Sequence, residues 1–177
     1  KENHLKKRIV IVGGGFAGAK AALELADSKM FDVTLISDHA DFRYYPALYH
    51  TAAGGKRILS SLPLEKLFKD KDITIVQDVV TELDRKNHAV TTALKATFPY
   101  DSLILALGVT TNYFNIKGLA EYSYGVKSNH DAEELKKHLH QHLIDEKRMD
   151  HNYVIVGGGP TGIEVAGAMV SYMRRIA

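Results

Sequence analysis

Three glycines near the start of the chain have the spacing of a phosphate-binding turn. Gly13, Gly15 and Gly18 follow a β-branched run at residues 8–12 and precede a helical pattern at residues 17–28. In such a turn the first glycine allows a tight bend, the second lets a pyrophosphate approach the backbone, and the third allows close helix–strand packing. The helix N-terminus then offers N–H groups and partial positive charge to the phosphates. The residues assigned to this turn are Gly13, Gly15, Phe16, Ala17 and Gly18.

An acidic residue after the next predicted strand supports a dinucleotide ligand. Asp38 lies 20 residues after Gly18 (38 − 18) and directly follows the β pattern at residues 31–37. A carboxylate in this place accepts hydrogen bonds from ribose hydroxyls and repels a 2′-phosphate. A solvated acid at a strand end is the alternative. Strand, turn, helix and second strand together form a βαβ unit, so the sequence predicts a dinucleotide site here.

The same glycine spacing recurs 144 residues later (157 − 13). Gly157, Gly159 and Gly162 follow a second apolar run, and Pro160 and Thr161 complete the assigned turn. Two such turns in separate units imply two dinucleotides, and the chemical reason to hold two is the transfer of a hydride or electrons between them. Glycine spacing alone does not identify the two cofactors.

The patterns around these turns predict an α/β fold, a Rossmann-like parallel sheet with helices on both faces. The parallel strands are expected at residues 8–12, 31–37, 73–76 and 102–108. Three short alternating stretches predict an inserted antiparallel meander. Its strands are expected at residues 79–83, 88–92 and 96–99.

Helix signals complete the first part of the chain. Pro46 suits the first turn of a short helix, and the pair Gly54 and Gly55 suits its C-terminal cap. Residues 61–70 predict a further helix, with Pro63 tolerated in its first turn.

The last part of the chain only begins a second Rossmann unit. Ser128 and Asp131 form a capping-box pattern before a charged helix that runs to about residue 144. The run HNYVIV predicts a new parallel strand, followed by a helix to the chain end. We therefore expect a dinucleotide-binding domain at residues 1–112, and a connection with the start of a second such domain at 113–177.

Composition excludes several classes of function. The 177 residues carry 23 basic and 21 acidic side chains, a balance that does not suggest a nucleic-acid or lipid surface. The longest apolar run, residues 103–109, is far shorter than the roughly 18 residues that span a bilayer. The sequence contains no cysteine, which excludes disulfides, thiolate metal sites and a redox-active cysteine pair within these residues.

Three closely spaced histidines suggest a metal site that the sequence does not otherwise support. His138 and His142 share a helix face, with His140 between them. The stretch is dense in lysine and glutamate, and no third ligand is forced to join the pair. We therefore interpret it as a solvated helix face and expect no metal.

The motifs together resemble a known family. GGGFAG, the meander, YDSLILALG and GGGPTGIEVAG occur in this order in the two-dinucleotide flavoproteins of the pyridine nucleotide–disulfide oxidoreductase superfamily. FRYYPALYHTAAGG and GGGPTGIEVAGAM look most like the type II NADH dehydrogenases, which are single-chain NADH:quinone oxidoreductases. The resemblance covers residues 8–173 and about the first half of a family member.

The resemblance implies FAD at the first turn and NAD(P)H at the second. In the family the NAD domain is inserted into the FAD domain, and the chain then returns to finish the flavin site. The return, the later NAD-domain strands and the membrane-binding C-terminal helices have no counterpart in this sequence. The resemblance therefore implies a fragment, which by itself is expected to be inactive.

The resemblance also assigns individual residues. Val80 would contact adenine through its backbone, with a purely core role as the alternative. Ala106, Leu107 and Gly108 match the family's A-T-G turn beside the FAD pyrophosphate, but Leu107 stands where threonine is usual and removes a hydroxyl donor. Pro46 would lie against the isoalloxazine.

Glu164 is the catalytic candidate. In the resembling dehydrogenases a glutamate two residues after the last glycine of the turn lies near the nicotinamide and the flavin edge. It would orient the nicotinamide or handle protons during quinone reduction. The alternative is a favourable charge at a helix N-terminus.

The missing cysteines narrow the choice among the relatives. The region PALYHTAAGG contains none, which excludes glutathione- and lipoamide-reductase chemistry and disfavours sulfide:quinone and thioredoxin-reductase types. What remains is hydride transfer from NADH to flavin, then electron transfer to a small-molecule acceptor, for which a quinone fits best. Such an enzyme would be cytoplasmic, reaching the inner face of the membrane only through the missing C-terminal part.

Other functions stay open. The alternatives are a ferredoxin or rubredoxin reductase, a relative of apoptosis-inducing factor, and a nucleotide-binding module without catalysis. The sequence leaves undecided the choice of NADH or NADPH, the acceptor and the oligomeric state.

Overall fold

The computed structural model describes residues 6–55, 61–146 and 152–176. The chain divides into two compact units. The first consists of Lys1–Phe42 and Leu62–Val109, and the second of Arg43–Ser61 and Thr110–Ala177. The segment Arg43–Ser61 thus belongs to the second unit although it interrupts the first along the chain.

The described strands and helices can be given in chain order. The strands are β1 (Lys7–Val12), β2 (Phe31–Ser37), β3 (Asp41–Arg43), β4 (Ser61–Pro63), β5 (Thr74–Gln77), β6 (Val80–Asp84), β7 (Ala89–Thr92), β8 (Thr97–Pro99) and β9 (Ser102–Leu105). The α-helices are α1 (Phe16–Ala26), α2 (Leu48–Ala52), α3 (Leu64–Leu67), α4 (Leu119–Tyr122), α5 (Asn129–His140) and α6 (Pro160–Ile176). A 3₁₀ turn at Tyr45–Ala47 precedes α2, and a π-helical turn at Gln141–Asp145 follows α5.

The first unit is built on a four-stranded parallel sheet in the order β5-β2-β1-β9. This confirms the predicted parallel sheet. Successive residues of a strand point to opposite faces, so a strand covered on both faces is apolar throughout. In β1, Ile9 and Ile11 are buried on one face, and Val10 and Val12 are buried on the other.

The two faces of this sheet are covered by different kinds of structure. Helices α1 and α3 both pack on the face of Ile9 and Ile11, through residues such as Ala22 and Leu64. The opposite face is covered by Val90 of the meander together with Tyr100. In the described part of this unit the helices therefore lie on one face, whereas the sequence predicts them on both. The apolar side of the meander occupies the place that a second helix layer would fill.

The inserted meander is confirmed as an antiparallel three-stranded sheet in the order β6-β7-β8. Its ladder is regular from Glu82 to Asp84 but shifts register between Val80 and Glu82. Such a shift is a β-bulge, in which one strand carries an extra residue and the pairing is locally broken. The irregularity falls at the start of β6.

The second unit has a helical core. Residues of α2, α5 and α6 pack together, with Leu48, Leu139 and Met169 all buried. The predicted capping box at the start of α5 is confirmed: Asp131 N–H donates to the Ser128 hydroxyl at 3.1 Å, and Ser128 N–H donates to the Asp131 carboxylate at 3.0 Å. These reciprocal bonds satisfy two N–H groups at a helix start.

The cap predicted after α2 is also confirmed. Gly54 has a φ of 86°, and its N–H donates to the Thr51 carbonyl at 3.2 Å. Gly55 N–H donates to the His50 carbonyl at 2.6 Å. A left-handed glycine of this kind commonly ends a helix.

Two predicted elements differ from the structure. The helix expected at 61–70 begins only at Leu64, because Ser61–Pro63 is extended and Pro63 has a ψ of 132°. A residue before proline is itself pushed towards extended backbone, which delays the helix start. Residues 152–156, expected as a parallel strand, pair with no strand among the described residues, and Val154 is 83% exposed. None of the helices in the described ranges is both long and apolar enough to cross a bilayer.

Candidate dinucleotide-binding turns

The first glycine turn joins β1 to α1 at the carboxyl end of the parallel strands. Gly13 has a φ of 110°, and a Cβ on it would lie 2.2 Å from the Ala106 carbonyl oxygen. A Cβ on Gly18 would lie 1.8 Å from the Gly13 carbonyl oxygen. Both distances are too short for any side chain. The fold itself therefore requires glycine at the first and third positions of the turn.

Gly15, the middle glycine, is not required by the fold. It is the N-cap of α1, with a φ of −77° and a ψ of −167°, values that any residue can adopt. Apart from its own chain neighbours, no atom of the described residues lies within 4 Å of the position its Cβ would take. The absence of a side chain leaves open space in front of the backbone. A ligand that closely approaches the backbone explains this glycine, whereas internal packing does not.

The N-terminus of α1 is suited to an anion. No side chain caps the helix, and its first turn contains no acidic residue. The helical hydrogen bonds begin with Ala19 N–H, which donates to the Gly15 carbonyl at 2.8 Å. N–H groups at a helix start have no partner within the helix and carry the positive end of its dipole. A phosphate can accept from such groups.

Asp38 follows β2 at the same end of the sheet. Its carboxylate lies 2.9 Å from Nε2 of His39, and 59% of its side chain is exposed. The carboxylate is therefore exposed enough for the ribose hydroxyls of a ligand to reach it. The structure brings it to the same sheet edge as the first turn, since Gly13 N–H donates to the carbonyl of Ile36 at 2.8 Å.

Two further predicted segments reach this edge. Ala106 N–H donates to the Val12 carbonyl at 2.8 Å, so residues 106–108 leave β9 directly beside the glycine turn. Gly108 has a φ of 74°, and Leu107 is 71% exposed. Val80 is half-buried against the sheet, which agrees with a core role for its side chain and leaves a ligand contact to its backbone.

Sequence reasoning missed Asp78, which lies at the same edge. Its N–H donates to the Ser37 carbonyl at 3.0 Å, next to Asp38 in the chain. An aspartate directly after a strand commonly accepts hydrogen bonds from nearby backbone N–H groups, and that signal marks this position.

The second glycine turn has the same local geometry. Gly157 has a φ of 116°, and a Cβ on Gly162 would lie 2.0 Å from the Gly157 carbonyl oxygen. Ile163 N–H donates to the Gly159 carbonyl at 3.1 Å, which repeats the first bond of α1. Apart from its chain neighbours, Gly159 again has no atom of the described residues within 4 Å of its Cβ position. Pro160 and Thr161, which follow it, are exposed.

Glu164 and Pro46 both lie in the second unit and are both exposed. Pro46 lies in the 3₁₀ turn, as its helix-start character predicts. Glu164 is the fifth residue of α6, which has no acidic residue in its first turn. Because the dipole interaction falls off within the first turn, the alternative role as an N-terminal charge is weakened.

His138 of α5 lies next to His142 of the π-helical turn that follows it. The rings of His138 and His142 are 4.0 Å apart between centroids, and Tyr124 lies 4.7 Å from His138. Within the described ranges, no three His, Cys, Asp or Glu side chains are grouped to hold a metal ion.

Both a sequence comparison and a structure comparison find similar proteins that are named for NADH. The type II NADH:quinone oxidoreductase NdhA of Mycobacterium tuberculosis is 35% identical to this chain over an alignment of 188 positions, which covers 96% of the chain and 39% of that protein. The structure of NDH2 from Plasmodium falciparum in complex with NADH is similar with a TM-score of 0.84 and 27% identity, covering 97% of this chain and 38% of that one.

A second solved structure shows the same fold. NADH:rubredoxin oxidoreductase from Clostridium acetobutylicum has a TM-score of 0.70 and 27% identity, covering 95% of this chain and 43% of that one. The chain thus spans about two fifths of the length of these relatives. The model of the family described as pyridine nucleotide-disulphide oxidoreductase matches residues 7–177. With that match over nearly its whole length, the chain belongs to the pyridine nucleotide-disulphide oxidoreductase family.

Proposed function

We propose that this chain is part of an FAD-dependent NADH dehydrogenase that passes electrons to a quinone. The first turn would bind FAD and the second turn NADH, within an FAD domain at residues 1–112 and the start of an NADH domain at 113–177. Support comes from the curated relative named as a type II NADH:quinone oxidoreductase and from the similar structure that was solved with NADH.

The observation that carries this proposal is the open space at Gly15 and Gly159. In each turn the outer glycines are explained by close contacts or positive φ within the protein. The middle glycine has neither reason in the described structure. A pyrophosphate lying against the backbone at a helix N-terminus accounts for both middle glycines. An enzyme that carries electrons between two dinucleotides needs two such sites.

The residues around the first turn fit FAD. The uncapped N-terminus of α1 would hold the pyrophosphate, and the exposed Asp38 carboxylate would accept hydrogen bonds from the ribose hydroxyls of the adenosine half. Residues 106–108 would border the pyrophosphate on the other side. Leu107 would contribute no hydroxyl there, so backbone groups would carry that contact.

The redox chemistry belongs to the cofactors. When bound, FAD would supply a hydride acceptor for NADH and a two-electron donor for the quinone. The residues of this chain would bind and orient the two cofactors. In the second unit the exposed carboxylate of Glu164 would orient the nicotinamide ring or hold a proton beside it. Pro46 would border the isoalloxazine.

A quinone is the acceptor that these observations favour. The 177 residues contain no cysteine, so no thiol in this part of the enzyme would relay electrons. Rubredoxin is the second candidate, because the similar structure from Clostridium acetobutylicum is named for it. Quinones partition into membranes, and we therefore place the whole enzyme in the cytoplasm at the inner face of the membrane.

The acceptor can be tested directly on the complete gene product. The protein would be purified with its flavin, and NADH oxidation would be followed with a soluble quinone or with rubredoxin as acceptor. We expect rapid NADH-dependent quinone reduction and little activity with rubredoxin. Flavin reduction by NADH followed by preferential electron transfer to rubredoxin would replace the quinone assignment and keep the cofactor sites. A protein that binds neither FAD nor NADH would refute the proposed function.

A further inference from the structure

Asp78 makes contacts that connect several chain segments at the carboxyl end of the parallel strands. It directly follows β5, and its N–H donates to the Ser37 carbonyl at 3.0 Å, one residue before Asp38. Ser37 and Gln77 are paired in the parallel ladder. The backbone of Asp78 is therefore fixed next to the residue proposed to bind ribose.

The carboxylate of Asp78 reaches in the other direction, to the meander. It accepts from Val79 N–H at 2.7 Å and from Leu94 N–H at 3.3 Å. The Val79 carbonyl accepts from Ala93 N–H at 2.8 Å. Asp78 and Val79 thus connect the end of β5 to the turn between β7 and β8.

Thr92 is buried, and its hydroxyl donates to the Ala96 carbonyl at 3.3 Å. The Thr92 hydroxyl lowers the pKa of Asp78, and the hydrogen bonds from Val79 and Leu94 act in the same direction. Hydrogen bonds that favour the charged form depress a carboxyl pKa in this way.

Val80 depends on these contacts for its backbone position. It opposes Thr92, but the ladder shifts register immediately after it, before Glu82. A bulge leaves the local pairing incomplete. Because the ladder is broken on its C-terminal side, Val80 is held mainly from its N-terminal side, by the hydrogen bonds of Asp78 together with the backbone bond from Ala93 N–H to the Val79 carbonyl.

We propose that Asp78 is the positioning residue for the adenylate half of the bound dinucleotide. It holds the Val80 backbone at a fixed distance from Asp38, so that adenine and ribose are recognised together. This inference rests on the proposed binding of FAD at the first turn. Asp78 acts through its neighbours, and no direct contact with the ligand is needed.

Asp84 provides a matched control within the same meander. Its carboxylate accepts from Lys86 N–H at 3.0 Å, from Asn87 N–H at 2.9 Å and from the Asn87 side-chain amide at 2.7 Å. Like Asp78 it organises a turn, and its pKa is also lowered, mainly by Asn87. It lies at the opposite end of β6 from Val80. Its loss should therefore loosen the meander without moving the adenylate site.

The test compares Asp78→Ala, Asp78→Asn and Asp84→Ala in the complete gene product. Dissociation constants would be measured on the apoprotein for FAD, for ADP and for FMN, which lacks the adenylate half. For Asp78→Ala we expect FAD and ADP affinity to fall by about tenfold or more, the scale of losing a hydrogen bond to a charged group. FMN affinity should stay within about twofold of wild type, a change too small to reflect a lost hydrogen bond. Asp84→Ala should change none of the three.

Asp78→Asn keeps the shape of the side chain and one acceptor oxygen, and turns an amide donor towards one of the backbone N–H groups. An intermediate loss of FAD and ADP affinity is expected from it, which keeps the test valid if Asp78→Ala does not fold. Equal loss of FMN and FAD affinity, or unchanged ADP affinity in both Asp78 variants, would overturn the positioning role. Wild-type protein that binds ADP but not FAD would instead refute the proposed cofactor. Binding of neither ligand would refute both.

Discussion

The two glycine turns have the same local shape but different surroundings. In each turn the third glycine lies against the carbonyl oxygen of the first, with a Cβ distance of 1.8 Å at Gly18 and 2.0 Å at Gly162. In each turn the helix begins with an N–H that donates to the carbonyl of the middle glycine. The turn's shape is therefore a local property of the G-x-G-x-x-G sequence and does not depend on neighbouring strands.

The two turns differ in whether the end of another strand lies directly beside them. The first turn is bordered by the end of β9, and a Cβ on Gly13 would meet the Ala106 carbonyl at 2.2 Å. At Gly157, apart from its chain neighbours, no atom of the described residues lies within 4 Å of the same position. A binding turn is thus a local structure, whereas a binding site also needs the strands that the rest of the fold brings beside it.

The largest expected effect of this difference is on stability. Gly13→Ala combines backbone strain with a clash against backbone atoms and should lower the free energy of unfolding by about 3 to 5 kcal/mol. Gly157→Ala adds only the strain of a positive φ and should cost about 1 to 2 kcal/mol. Urea unfolding of the 177-residue chain would measure both. Equal losses would show that the neighbouring strand does not matter to the first turn.

The second prediction compares equivalent helix positions after the two turns. Glu164 and Lys20 each lie two residues after the last glycine, and Lys20 forms an ion pair with Glu24 on the surface of α1. If Glu164 orients the nicotinamide or moves a proton, Glu164→Gln should lower steady-state quinone reduction about 10- to 100-fold in the complete enzyme. FAD content should not change. Lys20→Gln should leave turnover unaltered.

Unchanged turnover in Glu164→Gln would remove the catalytic role. A parallel loss of turnover in Lys20→Gln would show that any charge change after a glycine turn has this effect. Either result would end the functional distinction between the two helix starts.

The smallest expected effect concerns the ion pair that joins β1 to the segment just before β9, the strand beside the first turn. The Arg8 guanidinium lies 2.9 Å from the Asp101 carboxylate, and Arg8 N–H donates to the same group at 2.7 Å. These contacts lower the pKa of Asp101 to about 2, and the side-chain hydrogen bond from Arg8 has the largest effect. The pair joins the start of β1 to the residue before β9.

A carboxyl whose pKa is lower in the folded state stabilises the fold above its unfolded pKa, here about 3.9. This contribution is lost as the pH falls through the folded pKa of about 2. The stability advantage of wild type over Asp101→Asn should therefore be constant above about pH 5 and shrink between about pH 4 and pH 2. Because both side chains are exposed, the effect should be small. Unfolding curves at a series of pH values measure it, and a pH-independent difference would contradict the assignment.

The parts of the fold that sequence could predict are those with local signals. The glycine turns, the capping box at Ser128, the cap at Gly54 and the alternating meander strands each depend on residues that are close in the chain. Their physical causes, such as positive φ and helix-start hydrogen bonds, act over a few residues. The structure reproduces each of them.

The parts that could not be predicted depend on distant partners. Which layer covers Val10 and Val12 is decided by the meander, about 80 residues away in sequence (90 − 10), and periodicity cannot choose between a helix and a sheet there. Residues 152–156 have the pattern of a buried strand, but a strand exists only where a partner accepts its hydrogen bonds. Asp78 has a local signal as an aspartate directly after a strand, but its contact with Leu94 depends on tertiary structure, so its link to the meander could not be predicted.

We propose that the open middle glycines mark the two dinucleotide sites. The direct measurement is the flavin content and NADH reactivity of Gly15→Leu, Gly159→Leu and Gly167→Leu in the complete gene product. Gly167 lies in α6, and apart from its chain neighbours and the nearby helix backbone no described atom lies within 4 Å of its Cβ position, so it controls for the size of the new side chain. We predict no FAD in Gly15→Leu, normal FAD that NADH does not reduce in Gly159→Leu, and wild-type behaviour in Gly167→Leu. Stoichiometric FAD in Gly15→Leu, or normal flavin reduction by NADH in Gly159→Leu, would contradict the account.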